Sequence, residues 1–362
     1  MADGEKKTRW SFIGSLCETE GDGSTQPSAR TEAYRLARAG NYDQAIERLD
    51  ALTNSDPRST SLWVVKGECL RATGRPEDAL TCYSRALEIG PEGAFTEARI
   101  LHVAGLALCS IHEYEQAVGC LVRSTGLDPS NAEAWKTLGI ALRHGGAFDR
   151  AIAAQNHALC LQPNDADALA QLGFIHYQMG RIREALEHFD QALRFVHELP
   201  EAARPILAVD LLQAKADALE DSGHVDEALA CIETAVQTYP DSPTAWAYHG
   251  RLLLNLERFA EAFTSLERST RLDPTSAGAW QNKALSLKRL ERHEDALESY
   301  DRAIALKPDL ALSWLQKGEM LILHLNRVRE GVPCVRRALQ LNPQLGRRLA
   351  PVIMMLIRNP NL

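Results

Sequence analysis

No stretch of this chain is apolar for long enough to cross a bilayer. The opening MADGEKKTRWSFIGSLCETEGDGSTQPS also lacks the apolar core of a secretion signal. A cytoplasmic protein is therefore the expectation. No long basic run occurs and the net charge is -8, which counts against a nucleic-acid backbone as the main ligand. The eight cysteines include no C-x-x-C pair, so neither a zinc site nor a dithiol redox centre is expected. The phosphate-binding G-x-x-x-x-G-K-[ST], the metalloprotease H-E-x-x-H and the hydrolase G-x-S-x-G are all missing. His102, His112 and His144 share no helix with another histidine at ligand spacing. These absences point away from an enzyme and imply no cofactor and no metal.

What the chain has instead is a period. Residues 277–310 carry Trp280, Ala284, Leu287, Ala296, Tyr300, Ala303 and Pro308. Stepping back 34 residues gives Trp246, Gly250, Leu253, Ala262, Leu266, Ser269 and Pro274. From 132 the set returns as Trp135, Gly139, Leu142, Ala151, Ala158 and Pro163. In both halves of each unit the apolar and small residues recur at helical spacing. Gly or Ala marks where one helix backbone nears its neighbour, and the closing Pro stops the second helix. Each hairpin then leaves an apolar face that only an adjacent hairpin can cover. This set closely resembles the tetratricopeptide repeat family. The resemblance implies an all-α fold, a right-handed α/α superhelix (solenoid) of about nine helix-turn-helix repeats, whose business is binding.

In order, residues 1–25 read as a disordered polar tail, with a small apolar cluster at Trp10, Phe12 and Ile13. Repeats are expected at 26–59, 60–93, 98–131, 132–165, 166–199, 209–242, 243–276, 277–310 and 311–343. Four extra residues around Gly90-Pro91-Glu92-Gly93 separate the second from the third. An irregular insertion near 197–208 breaks the spacing after the fifth; it lengthens that repeat's second helix or adds a loop, and is a hinge candidate. Pro333 falls inside the last second helix, as suits an end unit. Residues 344–362 read as a capping helix, with an apolar, basic attachment handle as the alternative. Cys82, Cys120, Cys231 and nearly Cys334 share one slot of the second helix and are expected to be small buried apolar groups. Trp63, Trp135, Trp246, Trp280 and Trp314 share another slot and read as packing groups, as do Tyr83 and Tyr300.

The resemblance also implies that partners lie in a concave groove lined by the first helix of each hairpin. Mapped onto this chain, that groove holds a basic section (Lys136, Arg143, His144), an aromatic one (Phe174, Tyr177) and an acidic one (Asp217, Glu220, Asp221), then Arg251, Lys288 and Arg289. Such a face suits a protein or peptide partner, extended or helical, with the rings as anchors. Chaperone-binding members grip a terminal carboxylate with Lys, Asn and Arg. Val64 and Glu68, His102 and Leu106, Lys136 and Ile140 stand at those places here, so a chaperone's tail is disfavoured. The competing expectation is an assembly protein that oligomerises or attaches through its ends and its basic apolar tail. RNA binding is the third, and the acidic residues at 217–221 count against it.

Overall fold

Small residues against large ones, at fixed spacing, build every hairpin of this molecule. The computed structural model describes residues 28–199, 201 and 203–348. Among these residues there is no strand, only an isolated bridge between Glu92 and Phe95. Eighteen α-helices pair into nine hairpins. They are α1 (Ala29–Ala39) with α2 (Tyr42–Ser55), α3 (Thr60–Ala72) with α4 (Pro76–Ile89), and α5 (Glu97–Ser110) with α6 (Tyr114–Leu127). Next come α7 (Ala132–His144) with α8 (Phe148–Leu161) and α9 (Ala166–Gln178) with α10 (Ile182–Phe195). The rest are α11 (Arg204–Asp221) with α12 (Val225–Thr238), α13 (Pro243–Asn255) with α14 (Phe259–Leu272), α15 (Ala277–Arg289) with α16 (His293–Leu306), and α17 (Ala311–Leu323) with α18 (Val328–Leu341). Packing divides the chain into two units, Met1–Leu211 and Leu212–Leu362, with the boundary inside α11.

Within a hairpin, a small residue on the first helix faces a large one sixteen residues later on the second. A Cβ placed on Gly67 would lie 2.5 Å from the Tyr83 ring, and one on Gly173 2.5 Å from the Phe189 ring. Leu121 fills the slot opposite Gly105, and Leu266 the one opposite Gly250. The fourth hairpin departs from this chemistry. There Gln155 is fully buried against Gly139; its Nε2 donates to the Lys136 carbonyl at 3.1 Å, while its Oε1 has no partner. Successive hairpins are tied by the tryptophans, each only half-buried. The indole N–H of Trp63, Trp135, Trp246, Trp280 and Trp314 donates to the carbonyl of the proline six residues earlier, at 2.8–3.0 Å. Each indole thus fixes the turn through which the chain enters its helix.

The turn inside each hairpin is equally uniform. One residue takes a left-handed conformation, and the next N–H reaches back to the first helix, as Arg258 does to the Leu253 carbonyl at 2.9 Å. Glycine serves in five of these turns, but His112, Glu257, Glu291 and Asn326 adopt φ of 64, 59, 60 and 52° in the others. The extra residues after the second hairpin have a task. The Glu92 carboxylate accepts from the Ser61 N–H at 2.9 Å and the Ser59 hydroxyl at 3.1 Å, capping α3, while Phe95 is buried behind it.

Two expectations change. The insertion after the fifth hairpin leaves α10 at the length of the other second helices and widens the connection that follows it. It forms a 3-10 turn at Val196–Glu198 and an N-terminal extension of α11, which starts at Arg204 rather than near 209. Cys82 and Cys334 are buried, but Cys120 and Cys231 are only half-buried; all seven described cysteines are free thiols. Pro333 does fall inside the last second helix, facing solvent in the second turn of α18, which continues to Leu341. The predicted tail at 1–25 and the helix expected from about 346 lie outside the described residues, apart from a 3-10 helix at Pro343–Arg348.

Two substitutions test this account by urea unfolding. Gln155→Leu, which installs the side chain used opposite Gly105 and Gly250, should raise stability by about 1 kcal/mol by removing the orphan carbonyl oxygen. Glu257→Gly should stabilise by up to about 1 kcal/mol, because a side chain with positive φ is strained and glycine is not. A loss of stability in either variant would contradict the packing or the turn argument.

Candidate partner-binding face

First helices of successive hairpins touch one another, as α7 does α9, so their outward residues form one face in each unit. In the first unit the floor of that face is a buried polar network. Glu68, 2% exposed, accepts from the Tyr83 hydroxyl at 2.6 Å and from Arg71 at 3.1 and 3.3 Å. Next along, His102 and Thr137 lie 3.2 Å apart. The Thr137 hydroxyl hydrogen is used on the Glu133 carbonyl (2.8 Å), so Thr137 accepts and His102 donates through Nε2–H. Burial pushes the His102 imidazole down to about 4, against the pull of Glu133 and Glu68. It is neutral at physiological pH.

The basic section is not a patch of free charge. Lys136 Nζ lies 2.8 Å from Glu133 and 2.8 Å from Asp165, the residue that also caps α9 through the Ala168 N–H. Burial opposes its charge, yet the two carboxylates hold its ammonium above the ordinary lysine range. His144 stacks on the Tyr114 ring of the preceding hairpin, centroids 4.6 Å apart and planes 7° from parallel. Tyr114 in turn bonds His112 Nδ1 at 2.7 Å. Arg143 donates to His144 Nε2 at 2.9 Å and sits 6.0 Å over the Phe174 ring. Phe174 meets Phe189 edge-on at 5.3 Å. The structure therefore brings Arg143, His144 and Phe174 together, with Tyr177 one turn on along α9.

The second unit pairs part of its acidic section too. Arg251 reaches Asp217 at 2.5 Å and Glu220 at 3.5 Å, and Asn255 donates to Glu220 at 2.7 Å. The acidic residues once set against an RNA ligand are thus met by the next hairpin's own donors. Arg289, on the last residue of α15, lies 5.7 Å over Phe259. Burial lowers Lys288 and raises Glu319, and each attracts the other.

Tyr114 and Phe259, each the first residue of a second helix, receive the residue thirty positions later; His293 and His324, thirty-one apart, stack in the same way at 4.7 Å. Sequence reasoning missed Tyr114 as a partner of His144, although the repeat register holds that relation. It also missed Asp165, which reads locally only as a cap. Among the described residues no group of three or more His, Cys, Asp or Glu could hold a metal, and no helix is long and apolar enough to cross a membrane.

Comparison with known proteins agrees with this architecture. The tetratricopeptide repeat model matches residues 30–94, 103–169 and 214–277, and two further models of that description match 277–310 and 166–196. The chain belongs to the tetratricopeptide repeat family, whose members are protein-interaction modules. It is 26% identical over 161 residues to the BBSome complex member BBS4 of Xenopus tropicalis, covering 44% of this chain and 30% of that protein. It is also 26% identical over 174 residues to the TPR repeat-containing protein PA4667 of Pseudomonas aeruginosa, covering 46% and 28%. The chain thus spans less than a third of either relative. Among solved structures, the APC/C hetero-tetramer Cut9-Hcn1 matches with a TM-score of 0.52 at 14% identity, covering 94% of this chain and 64% of that one. At that identity the match shows the fold alone.

The buried histidine supplies a pH test. A neutral His102 folded and a titrating one unfolded means the unfolded chain takes up the proton first. Stability should therefore fall as pH drops below 6.5, by about 2 kcal/mol between pH 7 and 5 from this residue. His102→Gln, which can still donate to Thr137, should remove that part of the slope in urea melts; an unchanged slope would show that His102 is not the buried neutral base.

Proposed function

We propose that this chain is a non-enzymatic scaffold or adaptor that binds a peptide or helix of a partner protein along its first-helix face. The observation that carries the reading is the state of Phe174 and Tyr177. Two rings stand half-buried one turn apart on α9, on a face where most charges are already paired within the protein. Half-buried aromatic side chains on a prearranged surface are the usual anchors of protein recognition. Paired charges beside them tune which partner is admitted more than they add affinity. Lys136, Arg143 and His144 border this region in one unit, and Asp217, Glu220, Arg251, Lys288 and Arg289 line the corresponding face of the other. Free thiols throughout the described chain suit a reducing compartment, and the proposed site of action is the cytoplasm.

Several relatives are parts of larger assemblies by name, such as the BBSome member and anaphase-promoting complex subunit 3 of Schizosaccharomyces pombe. That agrees with an adaptor role here without naming the partner. The test compares proteins recovered by the intact chain with those recovered by the Phe174→Ala, Tyr177→Ala double variant. At least one partner should fall about tenfold or more, at unchanged helix content and melting. Equal recovery of every partner would remove this region from the site.

A further inference from the structure

Arg143 is set apart from the other cations of the first-helix face. Arg71 is paired with Glu68, Lys136 with Glu133 and Asp165, and Arg251 with Asp217 and Glu220. Lys288 faces Glu319, and Arg289 is exposed to water. Arg143 is half-buried, and no carboxylate among the described residues forms an ion pair with it. Its hydrogen bond goes to a neutral acceptor, His144 Nε2, and its Nε–H is buried with no acceptor at all. Burial holds the guanidinium below its ordinary range, with only Tyr114 acting the other way. Its guanidinium carbon lies 6.0 Å from the centre of the Phe174 ring.

We propose that Arg143 and Phe174 form a pocket for a single acidic side chain, Asp or Glu, within a linear peptide of the partner; this rests on the peptide-binding reading above. A guanidinium half withdrawn from water and without a protein carboxylate is short of one negative charge. A carboxylate delivered to its terminal nitrogens makes a charge-assisted pair in a setting that screens it little. Phe174 and Tyr177 then offer apolar surface to the residues beside that carboxylate. A polyanion is a poorer match. Lys136 is already neutralised, and Glu133 and Asp165 stand next to it, so the positive charge does not extend along the face.

The test selects a phage-displayed library of random linear peptides on the full chain. Fusing the peptides to the amino end of the coat protein leaves no free terminal carboxylate. Enriched peptides should carry Asp or Glu next to an apolar or aromatic residue. A synthetic enriched peptide should lose about tenfold or more in Kd when that Asp or Glu becomes Asn or Gln. Against Arg143→Gln the same replacement should make no difference, since the paired charge is gone. Arg143→Lys keeps the charge without the planar fork and should fall between the two, so the pocket is still read if the Gln variant is poorly folded. Enrichment without acidic residues, or an equal loss on Arg143→Gln, overturns the pocket and leaves peptide binding standing. No enrichment at all, or enrichment untouched by Phe174→Ala with Tyr177→Ala, overturns the peptide-binding reading and the pocket with it.

Discussion

Each hairpin depends on one contact, a small residue of the first helix held against a large residue sixteen positions later in the second, or seventeen in the last hairpin. The large partner changes freely between tyrosine, phenylalanine, leucine, glutamine and valine, whereas the small one is always glycine or alanine. The reason is geometric. At Gly67 or Gly173 a single added Cβ already overlaps the facing ring, so the slot limits volume on one side only. With backbones this close, the surface of the first helix that faces away from the contact is left free to vary. Variation there does not disturb the hairpin, and that is what lets one architecture present different chemistry on every repeat.

The variable surface is nevertheless not loose. Most of its charges are settled between neighbouring hairpins: Lys136 to the cap of α9, Arg251 to two carboxylates of α11. The same pattern recurs beside the tryptophans. Lys66 reaches Asp50 at 2.7 Å and Lys317 reaches Asp301, each a carboxylate sixteen residues back on the preceding hairpin. Pairs that are half-buried lose part of their attraction to desolvation, so they set register between hairpins more than they add stability. Their consequence is a face whose electrostatics are largely closed, so that its open positions stand out.

Much of this was legible in the chain. The 34-residue period, the closing prolines and the Gly or Ala slots locate the hairpins, because packing between helices repeats with the sequence. The tryptophans were readable as a shared slot, but not as donors to a proline carbonyl, since their half-exposed rings serve a turn rather than a core. Length irregularities were visible without their resolution. Four extra residues could not announce that Glu92 would cap α3, nor could the break near 197–208 say that the added length goes to the start of α11. Charge was the least legible. Asp217 and Glu220 look like bare acids in sequence, yet in space they share Arg251 and accept from Asn255, whose positions lie one repeat away.

That distance explains why reading a repeat protein residue by residue misjudges its surface. A side chain on a first helix finds charged neighbours not only on its own helix but about 30 residues away, on the adjoining hairpins, as Lys136 finds Asp165 and Arg251 finds Asp217. Residue type alone therefore says little; what matters is whether the matching position of the next repeat completes it. Asp165 completes Lys136. The corresponding place near Arg143 holds Phe174, which can cover a guanidinium but cannot neutralise it. A cation–aromatic contact of this kind holds the planar group in place while leaving its charge uncompensated. Orientation without neutralisation is the physical condition for a recognition residue, as opposed to one that only locks neighbouring repeats together.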